Sequence, residues 1–168
     1  FNLETVEVLL GPSSVLFGRG STGGAINQVT KRPTLDPLTN FSANIGSEET
    51  YRGTVDINRP VPLLGDGAAF RLNLLSHQGK MADRDGAEAK RYGIAPSLSL
   101  GLNSATQVTL SYMKQSSDDR PDYGLPWLND KPAPVARENF YGFDSDFLKT
   151  DADILTGQVA HSFSDSVN

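Results

Sequence analysis

Gly18-Arg19-Gly20-Ser21-Thr22-Gly23 matches G-x-G-x-x-G, the turn that presents a dinucleotide pyrophosphate to a helix N-terminus. That chemistry needs a strand directly before the glycines, a helix directly after them and an acid about 20 residues on for the ribose. The strand candidate here is Thr5 to Leu10, and Gly11 to Phe17 intervene before the motif. After Gly24 the chain reads Ala25-Ile26-Asn27-Gln28-Val29-Thr30, short, partly β-branched and stopped by Pro33, so it predicts a strand. No acid falls between Asn40 and Ile45, and no Gly-Lys-Ser/Thr occurs for a P-loop. The glycines are better read as giving tight turns and close backbone packing. Ser13 or Ser14 can cap one helical turn and Gly18 can close it, so the segment predicts strand, helical turn, glycine-rich turn, strand.

Other reactive constellations are scarce. There are no cysteines, hence no disulfide and no thiolate metal site. The two histidines, His77 and His161, are far apart, lack partners at ligand spacing and have no adjacent nucleophile, so no chemistry is assigned to them. Asp144, Asp146, Asp151 and Asp153 could suggest Ca²⁺, but without EF-hand spacing they read as a solvated acidic loop, and no metal is expected. A net charge of -5 argues against a nucleic-acid partner, which requires a basic face. No enzyme emerges.

The elements that must carry any function alternate with period two. Phe41, Ala43 and Ile45 share one face with Tyr51, Gly53, Val55 and Ile57 in the next segment. Phe70, Leu72 and Leu74 come next, then Tyr92 to Leu102, then Val108, Leu110 and Tyr112, then Leu155, Gly157, Val159 and Phe163. The opposite faces are small or polar, Leu75 and His161 being exceptions. Six such segments predict six half-buried strands. Pro96 cannot donate to a ladder, so a local bulge is expected there. Connections alternate short and long: Gly46 to Thr50, Pro60 to Gly67, a polar loop from His77 to Lys90, Gly101 to Ala105, then a long loop from Ser116 to Asp151.

A soluble sandwich would alternate too. Here the polar faces are uncharged in mid-strand, and aromatics cluster at strand ends on the apolar face. With the first strand running upward, Tyr51, Tyr92 and Tyr112 fall at upper ends, and Phe41, Phe70 and Phe163 at lower ends. Two aromatic girdles are what a lipid-facing wall needs. No run of 18 apolar residues predicts a spanning helix, and barrel strands escape that test. Six strands cannot close a barrel, and an open edge in lipid is prohibitive, so the expectation is part of a larger protein.

The stretch VEVLLGPSSVLFGRGSTGGAINQVTKRP, Val6 to Pro33, resembles the end of the plug domain of TonB-dependent siderophore receptors. The strands after it resemble the first six of that family's barrel. The loop from Asp118 to Ile154 is similar to the third extracellular loop of the ferric-catecholate branch. The fold so implied is all-β: part of a large plugged transmembrane antiparallel β-barrel, about six strands here, preceded by the C-terminal part of a mixed α/β plug. Residues 1–34 would be plug and 38–168 barrel, with the first strand rising from the periplasm.

The resemblance implies an outer-membrane receptor of a Gram-negative bacterium. It would bind a ferric siderophore, catecholate by branch, and import it with energy from the TonB-ExbB-ExbD complex. No cofactor beyond the transported chelate is implied. Hydroxamate, another chelate or a passive porin are the alternatives, and the plug-like segment counts against a porin. Phe17, Gly18 and Arg19 match the plug apex, where an aromatic and a cation suit an anionic aromatic chelate; plug–barrel packing is the plainer role. Tyr123 and Trp127 are loop aromatics fit for binding, or for rigidifying the loop against its prolines. Arg120, Arg137 and Tyr141 are further binding candidates. Lys31 and Arg32 would lock plug to barrel by pairing with wall carboxylates, or else lie solvated.

Overall fold

The computed structural model describes residues 1–11 and 23–163. These divide into two units, Phe1–Arg32 and Pro33–Asn168. In the first, β1 (Leu3–Leu10) and β2 (Gly24–Thr30) form an antiparallel hairpin, with Val8 opposite Ile26. The expected strands are therefore present. The expected helical turn and the glycine motif, including Phe17, Gly18 and Arg19, lie outside the described residues.

The second unit is an up-and-down meander. Its strands are β3 (Leu38–Gly46), β4 (Thr50–Pro60), β5 (Ala69–Lys80), β6 (Glu88–Leu100) and β7 (Thr106–Asp119). After them come the two-residue β8 (Trp127–Leu128) and β9 (Lys131–Pro132), which pair only with each other, and then β10 (Leu148–His161). One six-stranded antiparallel sheet runs β10-β7-β6-β5-β4-β3. The connections at residues 61–68, with a one-turn 3₁₀ helix at Pro62–Leu64, and 101–105 define a turn end. The tight turn at residues 47–49 and the longer connections at 81–87 and 120–147 define the opposite, loop end.

Burial on this sheet is the reverse of a water-soluble one. Asn58, Asn73, Ser97, Ser99, Asp56 and Arg71 are buried, while Phe41 is 72% and Ile45 82% exposed, with Tyr51, Tyr92, Ile94, Leu110 and Leu155 also exposed. The alternation places every buried polar residue on one face and these apolar residues on the other. Water would favour the opposite arrangement by roughly 25 cal/mol per Å² of apolar surface. Hydrocarbon removes that cost, so the apolar face suits lipid contact.

The aromatic rows are staggered against the hydrogen-bond ladder. Ser76 opposes Tyr92, while Gln78, two residues nearer the loop end, opposes Tyr51. Tyr112 lies four residues before Ser116, which opposes Tyr92. Phe41 opposes Val55, and Val55 opposes Leu74, but Phe70 lies four residues nearer the turn end. Both aromatic rows thus descend in the same sense from β3 toward β7. Strands tilted from a membrane normal, as barrel closure demands, give that stagger.

Toward the turn end the polar face is held together by side-chain hydrogen bonds. Asn58 Nδ2 donates to the carbonyls of Thr34 (2.8 Å) and Asp36 (2.6 Å), and its Oδ1 accepts from the Thr34 amide at 3.0 Å. Residues 33–37, which lead into the sheet, are so tied across β4. Arg71 holds Asp56 in a two-pronged ion pair, Nε–Oδ1 2.9 Å and Nη2–Oδ2 2.8 Å.

Three expectations are corrected. The polar face is charged in mid-strand, where Asp56 and Arg71 neutralise each other. No bulge occurs at Pro96: Leu72 opposes it on β5, and on the β7 side Ser97–Ser111 and Ile94–Lys114 keep one register across a gap at Ala95 and Pro96. Losing one donor drops a rung without requiring an extra residue. The loops are also shorter than expected, because β5 runs on to Lys80, β7 to Asp119, and β6 and β10 begin at Glu88 and Leu148. His77 and Ser116 therefore sit in strands.

Candidate ligand-binding site

The loop end brings two long connections together. Arg84, in the 81–87 loop, pairs with Asp122 at 3.0 Å, both side chains mostly buried. Its guanidinium also reaches the Arg137 and Asn139 carbonyls, and the Asp85 amide donates to the Glu138 carbonyl at 2.8 Å. Gly86 has φ +77°, and a Cβ there would stand 2.9 Å from the Phe140 ring. Only glycine permits both that backbone and that contact. The 81–87 loop is thereby clasped by 120–147. Neither Arg84 nor Asp122 was a sequence candidate: they are 38 residues apart and carry no motif.

The predicted cations are absorbed into this clasp. Arg120 donates to the Gly86 carbonyl at 3.1 Å and lies 3.7 Å from Glu88 and 3.6 Å from Asp144. Arg137 lies 4.0 Å from Asp83. Tyr141 accepts from Asn139 at 3.3 Å. These contacts position loops. The predicted aromatics are different: Tyr123 is 61% and Trp127 71% exposed. Asn129 and Asp130, with φ of 50° and 58°, make the tight turn of the β8–β9 hairpin that carries Trp127 at its start. The clasp leaves indole and phenol faces open, fit for stacking on a flat ligand.

Beneath the clasp a cavity of about 340 Å³ opens on the polar face. His77, Arg91, Asp119, Arg120, Met81 and Leu148 are among its walls. Arg91 pairs with Asp119 at 3.3 Å. Nearby, beyond Tyr51, the Lys80 ammonium is hydrogen-bonded to Glu49, which holds its pKa above the ordinary lysine value. The four aspartates raised as a calcium possibility have separate partners: Asp144 meets Arg120, Asp146 accepts from the Phe143 amide, Asp151 from Ser116, and Asp153 from Tyr112 and Lys114. Among the described residues no cluster of three metal-ligating side chains occurs, and no helix is long and apolar enough to cross a membrane.

Lys31 and Arg32 come directly after β2, and the Lys31 amide donates to the Asn2 carbonyl at 3.1 Å.

No family model matches the chain. Among curated proteins it is 47% identical over 149 residues to "Probable TonB-dependent receptor BfrD" of Bordetella pertussis, covering 84% of this chain and 20% of the relative. It is 35% identical to "Catecholate siderophore receptor Fiu" of Escherichia coli K12, covering 99% of this chain and 23% of the relative. The crystal structure of the siderophore receptor PiuA from Acinetobacter baumannii superposes with a TM-score of 0.89 at 38% identity, covering 98% of this chain and 24% of that one. The chain therefore spans only about a fifth to a quarter of the length of these relatives. They are receptors by name, not enzymes.

Proposed function

The chain belongs to the TonB-dependent siderophore receptors of the Gram-negative outer membrane, and from that premise we propose that the receptor it forms part of binds a ferric siderophore, catecholate in class, and imports it actively into the periplasm. One observation carries the reading: a sheet with its apolar face exposed and its polar face buried ends in a clasped loop that presents Tyr123 and Trp127 to solvent. The six strands supply lipid-facing wall, and residues 1–32 supply the end of a plug. Tyr123, Trp127 and Tyr141, with Phe17, Gly18 and Arg19 of the plug, stack on and attract an anionic aromatic chelate. Arg120 and Arg137 contribute by holding the loop that carries the aromatics. Lys31 and Arg32 lock the plug by charge pairing. The TonB-ExbB-ExbD complex provides the energy, and the coupling between outer ligand and inner partner is reciprocal. No bond is made or broken in the cargo, and no cofactor is used, so the protein is not an enzyme.

A second cargo reading, a hydroxamate or another chelate, draws on BfrD, whose name specifies no cargo. Titrating the full-length receptor in detergent with a ferric catecholate and a ferric hydroxamate, monitored by tryptophan quenching, separates them. Tight catecholate binding supports the first reading. Preference for the hydroxamate replaces the cargo class and leaves the transporter standing. Binding of neither removes the siderophore assignment.

A further inference from the structure

Arg52 on β4 and His77 on β5 oppose each other directly on the polar face. Neither takes part in the clasp. The other arginines of the six strands are all tied: Arg59 to the Leu38 carbonyl, Arg71 to Asp56, and Arg91 to Asp119. Arg52, half-buried, has no such tie among the described residues. His77 Nδ1 is buried and has no hydrogen-bond partner. A buried nitrogen without a partner is destabilising, and Arg52, directly opposite, makes no hydrogen bond to it. Folding does not reward this juxtaposition, and violations of this kind concentrate where a protein waits for a ligand.

Two further observations point the same way. His77 opposes Arg91 on its other side, so Arg52, His77 and Arg91 form one row across three neighbouring strands. At about 4.8 Å between strands, the row is roughly 10 Å wide. His77 and Arg91 also line the cavity of about 340 Å³ beneath the clasp, a volume in the range of small-molecule pockets. Met81 and Leu148 add apolar wall, and the carboxylates on the same wall are each neutralised by a cation: Glu88 by Lys90 and Arg120, Asp119 by Arg91, Asp122 by Arg84.

We propose that this row binds an anionic oxygen group. The guanidinium of Arg52 offers a fork matched to two oxygens, and His77 Nδ1, in the tautomer that carries a proton there, offers a third donor. The oxygens come either from a ferric chelate entering the cavity or from a carboxylate of the receptor's own chain beyond these residues. Only the first source rests on the siderophore reading.

The test uses the full-length receptor in detergent, with Arg52→Gln and His77→Gln, and Arg59→Gln on the other face as control. The probe is the ferric complex of 2,3-dihydroxybenzoate; dissociation constant and melting temperature are both read. If the chelate supplies the anion, each variant weakens binding about tenfold and melts as the wild type does. If the receptor's own carboxylate supplies it, affinity stays within twofold and the melting temperature falls. Unchanged affinity with an unchanged or raised melting temperature overturns the proposal, because removing an unpaired cation then costs nothing. Should the wild type bind no ferric catecholate, the cargo reading falls, and the melting temperature alone decides between an internal carboxylate and no anion.

Discussion

Asp56 and Arg71 show how a buried charge behaves on the polar face. Each is 6% exposed, and the two-pronged pair satisfies both. Removing one partner leaves the other desolvated, which costs about 3–5 kcal/mol, whereas removing both costs far less. Arg71→Leu is therefore expected to lower the melting temperature of the full-length receptor sharply, and Arg71→Leu with Asp56→Leu to restore most of it. Equal damage from the single and double variants would contradict this account. Trp127 is the opposite case, an aromatic left 71% exposed at the start of the β8–β9 hairpin. Trp127→Ala is expected to leave stability unchanged and to weaken chelate binding by a factor of about ten or more, as truncating an aromatic anchor does. Affinity measured by a method independent of indole fluorescence checks it; a variant that binds normally would assign Trp127 to loop packing instead.

Among elements, the clasp between 81–87 and 120–147 governs how the aromatics are presented. Gly86→Val forces a side chain into the Phe140 ring and a φ of +77° onto a β-branched residue. Arg84→Ala leaves Asp122 partly buried without its guanidinium. Both variants are expected to open 120–147 to limited proteolysis in the intact receptor while the sheet remains folded. Cleavage at the wild-type rate would show the clasp to be dispensable. The strands also explain why the two loops are shorter than alternation implies. Alternation vanishes from His77 to Lys80 and from Ser116 to Asp119 although both runs are strand. Beyond the tyrosine row the outward face meets water, so its residues turn polar and the period-two signal disappears.

On the scale of the molecule, the decisive property is which face of the sheet is exposed. Ile94 is 41% exposed at mid-strand, opposite Leu74. On a water-facing surface Ile94→Arg would be nearly neutral. In a lipid-facing wall it costs about 2–4 kcal/mol near the midplane. The expected outcome is a lower yield of folded receptor in the outer membrane, measured by heat-modifiable migration of membrane extracts, with Gln158→Arg, exposed on the polar face, as the tolerated comparison. Unimpaired assembly of Ile94→Arg would argue against lipid contact. Both edges of the sheet, β3 and β10, are unpaired among the described residues. Such edges in hydrocarbon require further strands, in agreement with relatives several times longer than this chain.

The six strands of the sheet, the two faces of each and the aromatic girdles were legible in the sequence, whereas the β8–β9 hairpin was not. These arise from side-chain alternation and turn chemistry, which are local. The family could be read there too, because Val6 to Pro33 is a contiguous signature. Which groups each cation meets is set only by the tertiary structure. Arg120 and Arg137, ligand candidates by residue type, meet Glu88, Asp144 and Asp83 across loops; Arg84 and Asp122, 38 residues apart, form the clasp without any sequence signal. Arg52 and His77 become a pair only through the β4–β5 register. Charge partners are chosen by spatial proximity between distant segments, and no periodicity within a segment encodes that choice.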